Sequence, residues 1–156
     1  QLLEGLADIY LPDLKYCSAD LSARYSQAPD YFFRAAEAIS EMLRQTGRPI
    51  IDPATGLMKR GVIVRHLVLP GQTRDSKKIL RFLHETFGND IYISIMNQYT
   101  PMAQVSDFSE LSRPVTPEEY RRVLDFADKI GIEQGFFQEG GTVSESFIPS
   151  FDGEGL

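Results

Sequence analysis

The sequence predicts an α/β fold, about four parallel strands with covering helices, and three observations carry that prediction. Short apolar runs at Leu6–Pro12, Gly61–Gly71, Ile91–Met96 and Phe136–Phe137 alternate with longer stretches whose apolar residues recur at helical spacing. The run GVIVRHLVLPG is rich in β-branched residues and bounded by Gly and a Pro-Gly turn, so it reads as a strand buried on both faces, as in a parallel sheet covered by helices. Polar residues follow the strands: Asp13 and Lys15, the Pro70-Gly71 turn, Asn97 to Tyr99, and Gln138 with Glu139. Parallel α/β sheets place ligands at the carboxyl ends of their strands, so these clusters are expected on one rim.

In chain order, Leu6–Pro12 is the first strand, closed by its proline, and Asp13 and Lys15 beyond it share a face if extended geometry continues. Ser18 caps a short helix over Ala19–Tyr25, and a longer helix opens with Pro29 as its first residue. Phe32, Phe33, Ala36, Ile39, Met42 and Leu43 form the apolar stripe of that helix, and Gly47 stops it. Ile50 and Ile51 are an apolar stub before the turn cluster Asp52 to Gly56, and Leu57 to Arg60 form an irregular lead into the central strand. Asp75 is the expected cap of the next helix, with Ile79, Leu80, Phe82, Leu83 and Phe87 inward and Gly88 at its end. After the strand Ile91–Met96 a long polar loop runs to Thr116. Thr116 and Glu119 have capping-box spacing for a helix striped by Tyr120, Val123, Leu124, Ala127 and Ile130 and ended by Gly131. Phe136 and Phe137 form the last strand, and the tail Phe147–Leu156 is irregular.

Composition narrows the function classes. At 156 residues and 42% hydrophobic content, residues 1–156 are expected to form a single domain with a proper core. A net charge of −6 leaves no electrostatic footprint for nucleic acid or an anionic membrane surface. No apolar run approaches the roughly 20 residues of a membrane span, and the first residues are neither a basic nor an apolar leader, so a cytoplasmic protein is expected. Cys17 is alone, so this sequence has no disulfide, no CxxC pair and no thiolate set for zinc or an iron-sulfur cluster.

Arg65 and His66 interrupt the central strand and point to opposite faces, because side chains alternate along a strand. A buried arginine is costly unless paired, so Arg65 is expected either against a carboxylate such as Asp13 or Glu139, or against a ligand. Asp13 and Lys15 are read either as ligand contacts or as a salt bridge at the rim. His66 is read as a satisfied core histidine under a helix. Asn97, Gln98 and Tyr99 either line a site or end the strand by bonding loop backbone. Glu139 is placed as an acid or base, or the following Gly140-Gly141 only needs a close turn. Cys17 is read as a packed thiol.

The segments DIYLPDLKY, RGVIVRHLVLPG with the following Asp75 and Ser76, YISIMNQYTP, and GFFQEGGTVSESFIP resemble the C-terminal half of radical S-adenosylmethionine proteins related to pyruvate formate-lyase activating enzymes. Within that group they resemble the branch of uncharacterised iron-sulfur proteins described as homologues of the activases. The likeness implies the C-terminal half of a partial (β/α)6 TIM-like barrel, starting at its fourth strand. The other half would carry a CxxxCxxC loop for a [4Fe-4S] cluster and a Gly-Gly-Glu-type contact to the cofactor's amino group; neither motif occurs in this sequence. In such activases an Asp-x-Lys at the fourth strand end lies by the cofactor carboxylate, helped by a monovalent cation, and Asp13 and Lys15 match it. Arg65 matches the fifth-strand arginine that faces the cofactor. Where the family brings a polar residue from the sixth strand end this chain has Asn97, Gln98 and Tyr99, a departure in type. With Glu139 these residues make the expected cofactor-binding set, and the only metal implied for this chain is a monovalent cation at Asp13.

The resemblance implies reductive cleavage of S-adenosylmethionine to a 5′-deoxyadenosyl radical, which takes a hydrogen atom, from a glycyl radical enzyme as partner. Cofactor and cluster belong to the whole parent protein; this chain alone is expected to bind neither and to be inactive. Two readings of other classes stand beside this one: a barrel lyase with Lys15 as Schiff-base residue, and a non-catalytic interaction module docking through its sheet edge. Half a barrel exposes a strand edge and an inner sheet face, so a homodimer or swapped assembly is expected.

Overall fold

The computed structural model describes residues 3–101 and 107–137, in which a mostly parallel sheet carries helices on one face. The elements are β1 (Ile9–Tyr10), α1 (Ala19–Ser26), α2 (Tyr31–Thr46), β2 (Ile50–Ile51), β3 (Met58–Leu67), α3 (Thr73–Phe87), β4 (Tyr92–Met96), α4 (Pro117–Lys129) and β5 (Gly135–Phe137). Short 3-10 turns occupy Gly88–Asp90 and Ser109–Leu111. The parallel strands lie in the order β1-β3-β4-β5, so each is added on the same side of the one before. Crossovers of one hand that advance in one direction keep their helices on one face. The core shows this arrangement: Val62, Val64, Ile93 and Ile95 of the sheet pack with Ile39 of α2, Leu80 and Leu83 of α3, and Val123 and Ala127 of α4.

Burial along β3 corrects the expectation of a strand covered on both faces. Val62, Val64 and His66 are buried, whereas the alternate residues Ile63, Arg65 and Leu67 remain partly exposed. A run of β-branched residues meets the needs of one covered face and of two alike, so the pattern does not distinguish them.

Several boundaries also move. The Leu6–Pro12 strand shrinks to Ile9–Tyr10, paired at Gly61 and Val62, because Pro12 has no N–H for the ladder; pairing resumes at the isolated Asp13–Arg65 bridge. Ile50-Ile51 and the lead from Met58 are not an irregular connection but an antiparallel hairpin, β2 on the start of β3. The Asp52 carboxylate accepts from the amides of Ala54 and Thr55 and shapes the turn between them. Gly61 permits the hairpin's close approach, since a Cβ there would sit 3.0 Å from Cα of Pro49. Pro29 lies in the turn before α2, which begins at Tyr31 with Asp30 as N-cap. Gln72, not Asp75, is the N-cap of α3. Ser18 and the Thr116–Glu119 capping box stand as read.

Candidate functional site

The rim at the carboxyl ends of β1 and β3 is built from backbone first. Arg65 donates its amide to Pro12 O at 2.8 Å and accepts from the Leu14 amide at 2.9 Å, which locks the segment after β1 beside the end of β3. Tyr31 at the start of α2 pins the same segment. Its hydroxyl donates to Asp13 O at 2.9 Å and accepts from the Lys15 amide at 3.0 Å. Burial chiefly pushes the Tyr31 phenol up, which keeps it a neutral donor. The segment's far end is held by Asp75, whose carboxylate accepts from the amides of Cys17 at 2.8 Å and Ser18 at 2.9 Å. This is why Asp75 does not cap its own helix. Tyr31 and Asp75 both escaped the sequence reading as site-building residues, because their partners lie far along the chain.

On this frame Asp13, Arg65 and Lys15 come together. Asp13 Oδ1 lies 2.8 Å from Arg65 Nε, and Asp13 Oδ2 lies 3.6 Å from Lys15 Nζ. The Asp13 Oδ1 and Arg65 Nε atoms are both shut off from solvent, yet the N–H is not aimed at the oxygen, so the contact is Coulombic and neither atom completes a hydrogen bond. The side chains as a whole are only partly covered, Arg65 being 43% exposed and Lys15 47%. Lys15 is thus set beside a carboxylate at the surface rather than enclosed in an apolar pocket, one of the settings that activates a Schiff-base lysine.

Register extends this row across the sheet. Arg65 pairs with Ser94, and Ser94 with Phe136, so the row Asp13, Arg65, Ser94, Phe136 lies on the face without helices. Ile63 pairs with Tyr92 and Leu67 with Met96 on the same face. The rings of Tyr92 and Phe136 stack there with centroids 5.5 Å apart. The arrangement is an ion-paired centre flanked by apolar and aromatic surface.

Tyr99 and His66 lie in other surroundings. Tyr99 is buried in a second apolar cluster with Tyr16, Leu69 and Leu111, and donates to Leu111 O at 2.9 Å. Gln98 is exposed, with its amide 3.9 Å from the Met96 sulfur, and Asn97 is half-buried. Glu139 lies outside the described residues, as does Gln138. His66 sits on the helix side, where Nδ1 meets Leu14 O at 2.8 Å; a carbonyl only accepts, so Nδ1 carries the proton. Its Nε2 is buried with no partner, so this core histidine is half satisfied rather than fully so. Burial lowers its pKa and keeps it neutral. Burial, and then the Asp75 carboxylate, push the Cys17 thiol up, away from a reactive thiolate.

Among the described residues no three His, Cys, Asp or Glu side chains are grouped to hold a metal ion, and no helix is long and apolar enough to cross a membrane. No family model matches the chain, and no solved structure matches it. An uncharacterized protein of Methanocaldococcus jannaschii, MJ0674, is 27% identical over 133 residues, 85% of this chain. The chain spans 35% of that relative's length.

Proposed function

We propose that this chain supplies the C-terminal strands of a radical S-adenosylmethionine barrel resembling the pyruvate formate-lyase activating enzymes, with Asp13, Lys15 and Arg65 at the amino-acid end of the cofactor. The observation that carries this reading is the register-matched Asp13–Arg65 pair with Lys15, at the strand tips on the sheet face that has no helices. Two further features support it. Strands added in one direction with all helices outside are the winding of a (β/α) barrel, whose inner face is closed by its remaining strands. The relative is much longer than this chain, which accords with a role as one part of a larger protein.

The residues present fit a zwitterionic ligand end: two cations for a carboxylate, one carboxylate for an ammonium or a monovalent cation, and a flat aromatic pair on the same face. They do not fit the cluster, since Cys17 is the sequence's one cysteine and its thiol is pushed up. The thiolates and the amino-group contact therefore belong to the other half in this proposal. Cofactor and cluster supply the 5′-deoxyadenosyl radical when bound; this chain's residues bind, orient and neutralise charge. Asp13 holds Arg65 and Lys15 close together, and a ligand carboxylate placed between the two cations completes their pairing. A cytoplasmic setting and a glycyl radical enzyme as partner belong to the same proposal. Without its other half the open face favours a homodimer or swapped assembly, and a monomer in light scattering at high concentration would refute that corollary.

The test is anaerobic iron and sulfide reconstitution of the longer polypeptide that contains this chain, then reduction with S-adenosylmethionine and quantification of 5′-deoxyadenosine. The expected result is cluster absorption and product, with Arg65→Ala keeping the absorption while losing about tenfold in cofactor affinity. A longer polypeptide that lacks CxxxCxxC, or that forms no 5′-deoxyadenosine, overturns the reading.

A further inference from the structure

The outer face of α3 carries a cluster of cations that make no ion pair with any of the described residues. Arg74, Lys77, Lys78 and Arg81 are spaced three and four residues apart, so each lies one turn from two of the others. Arg74, Lys78 and Arg81 are exposed and Lys77 is half-buried. Among the described residues none of the four has a carboxylate within ion-pair distance. Elsewhere most surface cations are matched, as Arg24 is with Glu110, Arg44 with Glu4 and Glu41, and Arg48 with Asp90, and the exceptions Arg60, Arg121 and Lys129 do not form a group of four on one helix face. The acid within this stretch of α3, Asp75, is buried and committed to the Cys17 and Ser18 amides.

Two physical points give the cluster meaning. The chain has 22 acidic residues to 16 basic ones, so four cations clustered on one helix face run against its composition; Glu85, one turn beyond Arg81, makes no ion pair with it. Like charges one turn apart also destabilise a helix, so the fold bears a cost for this arrangement. The cations are held in position as well. Lys77 Nζ lies 5.5 Å and the Arg81 guanidinium carbon 5.3 Å from the centroid of Phe126 on α4, so one ring orders both. Held this way, their N–H donors keep no acceptor within the described residues.

From this geometry we infer that the α3 face docks an acidic surface of a partner protein. Charge complementarity selects the occupant, and the chain's own net charge of −6 argues against a nucleic acid, whose phosphates the rest of the surface repels. The inference does not rest on the radical-enzyme proposal, because α3 packs on the opposite side of the sheet from the Asp13–Arg65 row.

The test is titration of the isotope-labelled chain with a Glu/Asp-rich peptide, and separately with a duplex DNA and an RNA oligonucleotide, followed by amide chemical shifts. Peptide binding that weakens with salt and perturbs Arg74 to Arg81 and the Phe126 region supports the inference. The double variant Arg74→Glu with Lys78→Glu should bind about tenfold more weakly. That variant should fold, since an acid at position 74 lies in the first turn of α3, where the helix dipole favours it, and both changes relieve repulsion. Its circular dichroism and melting temperature verify this. Four outcomes overturn the inference: no binding, shifts spread over the chain's cations generally, tighter binding of an oligonucleotide than of the peptide, or salt-sensitive association of the chain with itself at α3.

Discussion

The two faces of one sheet follow different rules here. On the helix side, Val62, Val64 and Val68 are fully buried and His66 is 1% exposed; on the other, Ile63, Arg65 and Leu67 of the same strand stay partly open. The covered side is an apolar core whose one polar side chain from β3, His66, is neutral and bonded to a carbonyl. The open side holds a carboxylate in contact with both an arginine and a lysine. Stability is concentrated where helices cover the sheet, and charge is affordable where they do not, since an ion pair that keeps some water suffers little desolvation.

The largest test of this contrast uses neighbours on β4. Ile95 is fully buried on the helix side and Met96 faces the open side. Ile95→Ala should cost about 3 kcal/mol in urea unfolding and Met96→Ala under about 1 kcal/mol. Similar losses at the two positions would erase the distinction between the faces.

The helix side is also closed by a staple at its rim. Glu119 accepts from the Gly71 amide at 2.8 Å and from Arg113 at 2.7 and 2.8 Å, joining the turn after β3 to the start of α4, and its side chain is 13% exposed. Glu119→Gln should cost about 2 kcal/mol, as charge-assisted bonds become neutral ones. Arg113 chiefly holds the carboxyl at about 2. Because the folded value lies below the unfolded one, its stabilisation is present above the usual carboxylate range and is lost as pH falls toward about 2. Acid unfolding of the Gln variant should lack that component.

On the open face the effect should be smaller. Arg65→Ala leaves Asp13 beside Lys15 and water, so a loss of about 1 kcal/mol or less is expected by thermal melting. A loss as large as that of Ile95→Ala would mean that the open face is covered after all. The smallest effect is a slope. His66 is held neutral by burial, so its folded pKa lies below the unfolded value of about 6.5, and stability should decline as pH drops below about 6.5. His66→Asn, whose amide can donate to Leu14 O, should flatten that decline in pH-dependent unfolding.

Much of this was readable from the residues. Period and punctuation announced α2, α3 and α4, with Gly47 and Gly88 as C-caps and the Thr116–Glu119 capping box in place. Alternation of strands with helices announced parallel pairing, the position after the first strand put Asp13 and Lys15 at its tip, and the cost of burying Arg65 within the central strand named Asp13 among its expected partners. Local chemistry was less decisive where partners are distant. Asp75 has the look of a cap, yet two amides nearly sixty residues away in sequence claim its carboxylate, the separations being 58 and 57 residues. Tyr99 follows a strand as a site residue would, yet its ring is buried at the rim.

What the sequence determined by itself is the main helices and the parallel strands, their order and the polar residues at their ends, because caps, glycines and apolar periodicity act within a few residues. Only the tertiary structure decided which face of the sheet is covered, that β2 turns back on β3, and that Tyr31 and Asp75 hold the segment carrying Asp13 and Lys15. Those outcomes depend on contacts between residues far apart in the chain, and short-range pattern carries no record of them.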